Sequence, residues 1–180
     1  TDHWDMMPDI TTVAKSLTSG YSPLGAAIAT KKISDSFIGT EKEMFLHLIT
    51  FGGHPASCAA GLKNLEIYER EKLVQNSKNM GEYLLNKLEA LKSSKIVGDV
   101  RGLGLLAAVE LVSDKNTKEK LPASLEIQKK IPKYLNDSNI FTFRAGDIIS
   151  LCPPLNINKD EIDFLVEGLA STIHKIEKET

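Results

Sequence analysis

What most constrains the fold of this 180-residue chain is a repeated change in the spacing of its apolar residues. Short runs rich in β-branched or small residues, at 10–17 and 25–30, alternate with stretches whose apolar side chains recur every three or four positions. The first pattern suits strands, whose side chains alternate between faces. The second suits helices, which bury one stripe. Strand-like and helix-like segments in alternation predict an α/β or α+β architecture.

The clearest helical stretch is 73–91, with Met80, Leu84, Leu88 and Leu91 in one stripe. Near the end, Asn158-Lys159-Asp160-Glu161 reads as a capping box. It opens a helix carrying Ile162, Leu165, Val166, Leu169, Ile173 and Ile176 on one face. Residues 124–138 read as a helix through Ile127, Ile131, Tyr134 and Leu135, with a kink expected at Pro132. Pro55 suits the first position of a further helix, where its missing N–H costs nothing. Ala56, Ala59, Ala60, Leu62 and Leu65 are its expected packing residues. A short helix is expected at 32–38 and strands at 10–17, 25–30 and 45–51. Two more, 96–100 and 103–112, are read as joined through Arg101-Gly102, and 140–143 with 148–152 as a hairpin about 145–147. The polar run Glu69-Arg70-Glu71-Lys72 marks a boundary that divides residues 1–71 from residues 72–180.

Composition narrows the function classes. Hydrophobic residues at 42% suffice for a core, and the net charge of −2 gives no electrostatic case for nucleic acid or an anionic membrane as partner. No apolar run approaches the roughly 18–20 residues that span a bilayer. No secretory leader pattern opens the chain. Cys58 and Cys152 are too few for a disulfide scaffold and lack metal-ligand spacing, so a reducing, cytoplasmic setting is expected. The opening Thr1-Asp2-His3-Trp4-Asp5 reads as the middle of a longer chain.

Three places combine a reactive or anion-binding group with unusual backbone freedom. Lys15 lies at a strand end; desolvation there would favour a neutral amine able to attack a carbonyl. In Thr50-Phe51-Gly52-Gly53-His54-Pro55, glycines permit close backbone approach, and the following helix start suits phosphate. His54 reads as a cap or core histidine rather than a catalyst. Arg144, at the neck of the last hairpin, could clamp a carboxylate through two parallel hydrogen bonds. On spacing alone, the plain alternatives are a solvated lysine, an ordinary strand–turn–helix junction and a solvated hairpin charge. Gly102-Leu103-Gly104 lacks the third glycine and following helix of a dinucleotide site.

The chain also resembles a known family. Asp2-His3-Trp4-Asp5 with Pro8-Asp9-Ile10, then Ala14-Lys15-Ser16-Leu17-Thr18-Ser19-Gly20-Tyr21 and Pro23-Leu24-Gly25-Ala26, is similar to the cofactor-lysine signature of class III aminotransferases. These are pyridoxal 5′-phosphate enzymes of fold type I. Thr50–Pro55 with Cys58-Ala59-Ala60 resembles their second signature, Val100–Leu105 with Glu110-Leu111 their small-domain strand pair, and Phe143–Asp147 with Pro153-Pro154-Leu155 their last hairpin. The resemblance implies the C-terminal portion of such an enzyme. Residues 1–71 would close the large cofactor-binding domain, and residues 72–180 would form the small α+β domain. It implies that Lys15 bonds the cofactor and that Thr50 binds its phosphate across a homodimer interface. From the ω-amino-acid and amine:pyruvate branch, it implies that Arg144 pairs with a substrate carboxylate.

The implied reaction moves an amino group from an amino acid or amine to a keto acid such as pyruvate. The family's glycine-serine phosphate loop, ring-stacking aromatic and pyridine-binding aspartate have no counterpart here, so the chain alone is expected to be inactive. Ser16 stands where a glycine is usual and Gly52 where a serine is common. Competing readings are a non-catalytic dimerisation or interaction module and an aminomutase of the same family.

Overall fold

The computed structural model describes residues 2–180, with Asp2, Phe143, Arg144 and Ala145 described by backbone alone. The chain divides into two compact units, Thr1–Glu71 and Lys72–Thr180.

The first unit opens with strands β1 (Ile10–Val13) and β2 (Ala26–Ala29), an antiparallel pair running from Ile10 opposite Ala29 to Val13 opposite Ala26. The expected strand at 10–17 thus stops at Val13, where the pairing ends and a 3-10 turn, Lys15–Thr18, begins. Helix α1 (Lys31–Asp35) follows, then α2 (Pro55–Arg70) with Pro55 in its first turn. Residues 45–49 have no regular structure, contrary to the strand expected at 45–51. A strand persists by hydrogen-bonding to a neighbour, and no described strand pairs with this one. Leu46 and Leu48 stand in the open, Leu48 at 98% exposure.

The second unit layers helices on an antiparallel sheet. Its strands are β3 (Val97–Leu103), β4 (Leu106–Leu111), β5 (Phe143–Ala145) and β6 (Ile148–Leu151), in the order β3-β4-β6-β5. Arg101-Gly102 does not join two strands but lies within β3. A Cβ on Gly102 would stand 2.6 Å from the Leu106 carbonyl oxygen and 2.9 Å from Ala107 Cα. This glycine marks close cross-strand approach, and the reversal falls instead at Gly104, with φ +56°. The last hairpin also turns later than expected. Residues 140–142 precede β5, and Gly146, at φ +62°, supplies the left-handed backbone at the tip.

Helix α3 (Leu73–Glu89) buries Leu84 and Leu88 fully, and α5 (Lys159–Glu177) buries Ile162, Val166, Leu169, Ile173 and Ile176, as their spacing predicts. The two helices are joined at the surface: Lys87 pairs with Asp163 at 2.8 Å, and the Tyr83 hydroxyl donates to the same carboxylate at 2.9 Å. The hydrogen bond from Lys87 holds Asp163 below the usual carboxylate range. Helix α4 (Ile127–Asp137) continues through Pro132. An interior proline costs about 3 kcal/mol. Burial of Ile127, Ile131 and Leu135 at roughly 1.5–3 kcal/mol each outweighs it.

The capping box of α5 is complete. Asn158 Oδ1 accepts from Glu161 N–H at 3.0 Å, and Glu161 Oε2 accepts from Asn158 N–H at 2.9 Å. Asn158→Ala is expected to lower stability by about 1 kcal/mol, the usual worth of such a cap. Urea denaturation checks this; an unchanged midpoint would show that the cap contributes nothing.

All buried hydrophobic side chains among the described residues belong to the second unit, from Leu84 to Ile176. In the first unit the buried side chains are polar: Thr18, Ser57 and Asn64.

Candidate functional site

Lys15 occupies the connection between β1 and β2, immediately past the paired strand ends. Its backbone has φ +53°, and Ser19, at the far end of the same turn, has φ +50°. Left-handed backbone costs a non-glycine residue about 1–2 kcal/mol. Such conformations persist where surrounding contacts over-determine them. Inside the turn, Leu17 N–H donates to Ala14 O at 3.1 Å and Ser19 N–H to Ser16 O at 3.2 Å.

The outer contacts come from α2. Asn64 Nδ2 donates to Ser16 O at 2.8 Å and to Leu17 O at 3.1 Å, while its Oδ1 accepts from Ser19 Oγ at 2.7 Å. One helical turn earlier, a Cβ on Gly61 would lie 2.9 Å from Leu24 Cδ2, so the absent side chain lets the loop settle on the helix. At the helix start, the Ser57 and Ser22 hydroxyls meet at 2.7 Å, and the Thr18 hydroxyl donates to Ser22 O. Ser57, Gly61 and Asn64, spaced four and three apart, are thus the buried face of α2. Of the packing residues expected from sequence, Ala56, Ala59, Leu62 and Leu65 are exposed instead, and Ala60 is half-buried. Polar groups of a loop, not an apolar neighbour, cover this helix in the first unit.

Lys15 itself is exposed, and its amine has no partner among the described residues. The desolvation expected at the strand end is therefore not supplied within this unit. A neighbouring hollow of about 410 Å³ is lined by Ala14 and Ser16 but not by Lys15.

Thr50 starts the turn that precedes α2, with His54 N–H donating to Phe51 O at 3.2 Å. It too is exposed and without a partner among the described residues. Space is open around Gly53, which at φ +67° has no atom within 4 Å of where a Cβ would lie. His54 is the N-cap expected of it: its Nδ1 accepts from Ser57 N–H at 3.3 Å. That bond uses one of the free N–H groups the helix start would otherwise present to an anion.

Arg144 lies in β5 with its backbone opposite Ile149, and its side chain falls outside the described atoms. Lys15 and Thr50 share the first unit, whereas Arg144 belongs to the second. Cys58 is half-buried and Cys152 exposed, both as free thiols. Among the described residues no group of acidic, histidine or cysteine side chains could hold a metal, and no helix is long and apolar enough to cross a membrane.

The donor set fits pyridoxal phosphate: a free primary amine on a braced turn suits an aldehyde, and an uncommitted hydroxyl beside open glycine backbone suits a phosphate.

Comparison with known proteins identifies the family. The class III aminotransferase family model matches residues 1–173. The adenosylmethionine-8-amino-7-oxononanoate aminotransferase of Geobacter sulfurreducens is 39% identical over 171 residues, covering 94% of this chain and 38% of that protein. A thermostable (S)-enantioselective omega-transaminase from Thermomicrobium roseum superposes with a TM-score of 0.91 at 37% identity, over 97% of this chain and 39% of that one. An amine transaminase from an uncultivated Pseudomonas species, in its pyridoxal-phosphate-bound form, gives a TM-score of 0.90 at 34% identity, over 97% of this chain and 40% of that one. The chain thus spans about two fifths of the length of the relatives it matches. The described residues match part of the α/β architecture of pyridoxal-phosphate-dependent transaminases, and the chain belongs to the class III aminotransferase family, whose cofactor is pyridoxal phosphate.

Proposed function

We propose that this chain is the lysine-bearing, C-terminal part of a longer aminotransferase that moves an amino group from an amino acid or amine to a keto acid such as pyruvate. One observation carries the reading. The lysine of the family-like signature, Lys15, projects a free amine from a turn whose strained backbone is braced from α2.

The cofactor, when bound, supplies an electron sink for bond changes at the substrate carbon. The chain's own residues do the rest. Lys15 Nζ would hold the cofactor through its aldehyde group, and the same amine would carry a proton to and from the substrate carbon. Thr50 Oγ1 donates to the phosphate, contributed from one subunit of a homodimer to the site of the other. The Arg144 guanidinium pairs with the substrate carboxylate, each charged hydrogen bond contributing about 1.5–3 kcal/mol. Residues 1–71 complete the large cofactor-binding domain, and residues 72–180 form the small domain.

The longer polypeptide, loaded with pyridoxal phosphate and given an amino acid, is expected to turn over only when a keto acid is also present. The isolated 180-residue chain is expected to show no transfer. Turnover without any keto acid would identify an aminomutase instead. Transfer by the isolated chain would overturn the need for the remaining sequence.

A further inference from the structure

We infer that Asn64 is the positioning residue of the Lys15 amine. This rests on Lys15 being the cofactor-bearing lysine and adds the part that aims it. Asn64 is 9% exposed in the middle of α2, 45 or more residues from every group it bonds. Its amide is used on both sides: Nδ2 donates to the carbonyls of Ser16 and Leu17, and Oδ1 accepts from Ser19. These three residues follow Lys15 directly or close its turn.

The two left-handed residues, Lys15 and Ser19, bracket the segment that Asn64 grips. Relaxing the Lys15 φ toward the ordinary negative range would rotate the chain about the Lys15 N–Cα bond and swing Cβ, and with it the start of the side chain. Nζ has no partner of its own among the described residues, so the backbone of the turn, which fixes the Cα–Cβ direction, is what the described residues offer to position it. Ser57 braces the loop further along, through Ser22, and Gly61 clears the space between them. Asn64 alone of the three bonds the turn that begins with the lysine.

The test uses the longer holoenzyme and its apo form. Asn64→Leu keeps the approximate volume and removes all three bonds. It is expected to lower kcat about 30-fold or more, with KM for the amino donor within twofold, and to move the pH midpoint of the lysine–cofactor absorbance band. In apo protein mixed with pyridoxal phosphate and trapped with borohydride, peptide mass mapping should show at least tenfold slower labelling of Lys15. Labelling of Lys63, an exposed lysine of the same helix, should not change. Asn64→Gln, which keeps the amide, should recover labelling to within about fivefold of wild type. Ser19→Ala, which removes one bond, should slow it by a smaller factor than Asn64→Leu.

Wild-type labelling and an unmoved pH midpoint in folded Asn64→Leu would overturn the assignment. If Asn64→Leu does not fold, wild-type labelling and an unmoved pH midpoint in Ser19→Ala, which removes one of the bonds, overturn it. A Lys15→Ala enzyme that keeps turning over removes the lysine reading and this inference together. An inactive Lys15→Ala beside a normal Asn64→Leu removes the inference alone.

Discussion

Lys15→Ala in the longer polypeptide is expected to lower kcat by at least about 10²- to 10⁴-fold, the range lost when a positioned proton-transfer group is removed. Two roles disappear together. No amine remains to hold the cofactor by its aldehyde, and none remains to carry the proton at the substrate carbon. The folded state should survive, because Lys15 is exposed and supports no other side chain. Alanine at φ +53° is strained much as lysine is. The expected signature is therefore lost turnover with little change in melting temperature. Added methylamine or ammonia should restore part of the rate by supplying an amine from solution. Turnover within tenfold of wild type would remove Lys15 from the mechanism.

The largest expected effect on stability comes from Gly81→Ala in α3. Alanine at an interior helical position is worth up to about 1 kcal/mol over glycine. Here the added Cβ would lie 2.2–2.4 Å from the Gly104 carbonyl carbon, carbonyl oxygen and Cα. All three are backbone atoms, so no rotamer change relieves the clash. The Gly104 turn is held from the same helix, with Leu105 N–H donating to Ser77 Oγ at 3.4 Å. Overpacking typically costs about 1–3 kcal/mol and occasionally more. The clash therefore exceeds the helical gain, and we expect a net loss of about 2 kcal/mol or more. Calorimetry should show the melting temperature falling by roughly 10 °C. An unchanged or raised value would mean that α3 and the turn separate freely.

The parts of the fold that could be read from sequence are those where one local rule decides. The stripe of Leu84 and Leu88, the apolar face of α5 and the Asn158–Glu161 box need only helical periodicity and capping chemistry, and each is formed. Pro55 likewise sits in the first turn of α2, behind the His54 cap. Local rules fail where a distant residue decides. Residues 45–49 have strand composition but no described pairing partner. Gly102 looked like a reversal because cross-strand crowding by Ala107 is invisible in one dimension.

The candidate site divides in the same way. Lys15 and Thr50 stood out by motif. Asn64 did not, because its partners lie 45–48 positions away. A signal was nevertheless present: Ser57, Gly61 and Asn64 line one face of a helix whose leucines point elsewhere. A stripe of small and polar residues on a helix that also carries Leu62, Leu65 and Ile67 suggests that backbone, rather than side chains, packs there.

The uneven placement of apolar burial has a practical consequence for anyone heating this polypeptide. Unfolding heat capacity comes from hydrocarbon newly exposed to water, and the first unit's apolar side chains, such as Val13, Leu17, Leu24 and Ile67, are at most half-buried among the described residues. A calorimeter would therefore weight the cooperative loss of residues 72–180 well above that of the lysine segment. In the isolated chain, damage around Lys15 would change the thermogram less than equal damage among residues 72–180, so integrity there is better read from local probes such as amide exchange.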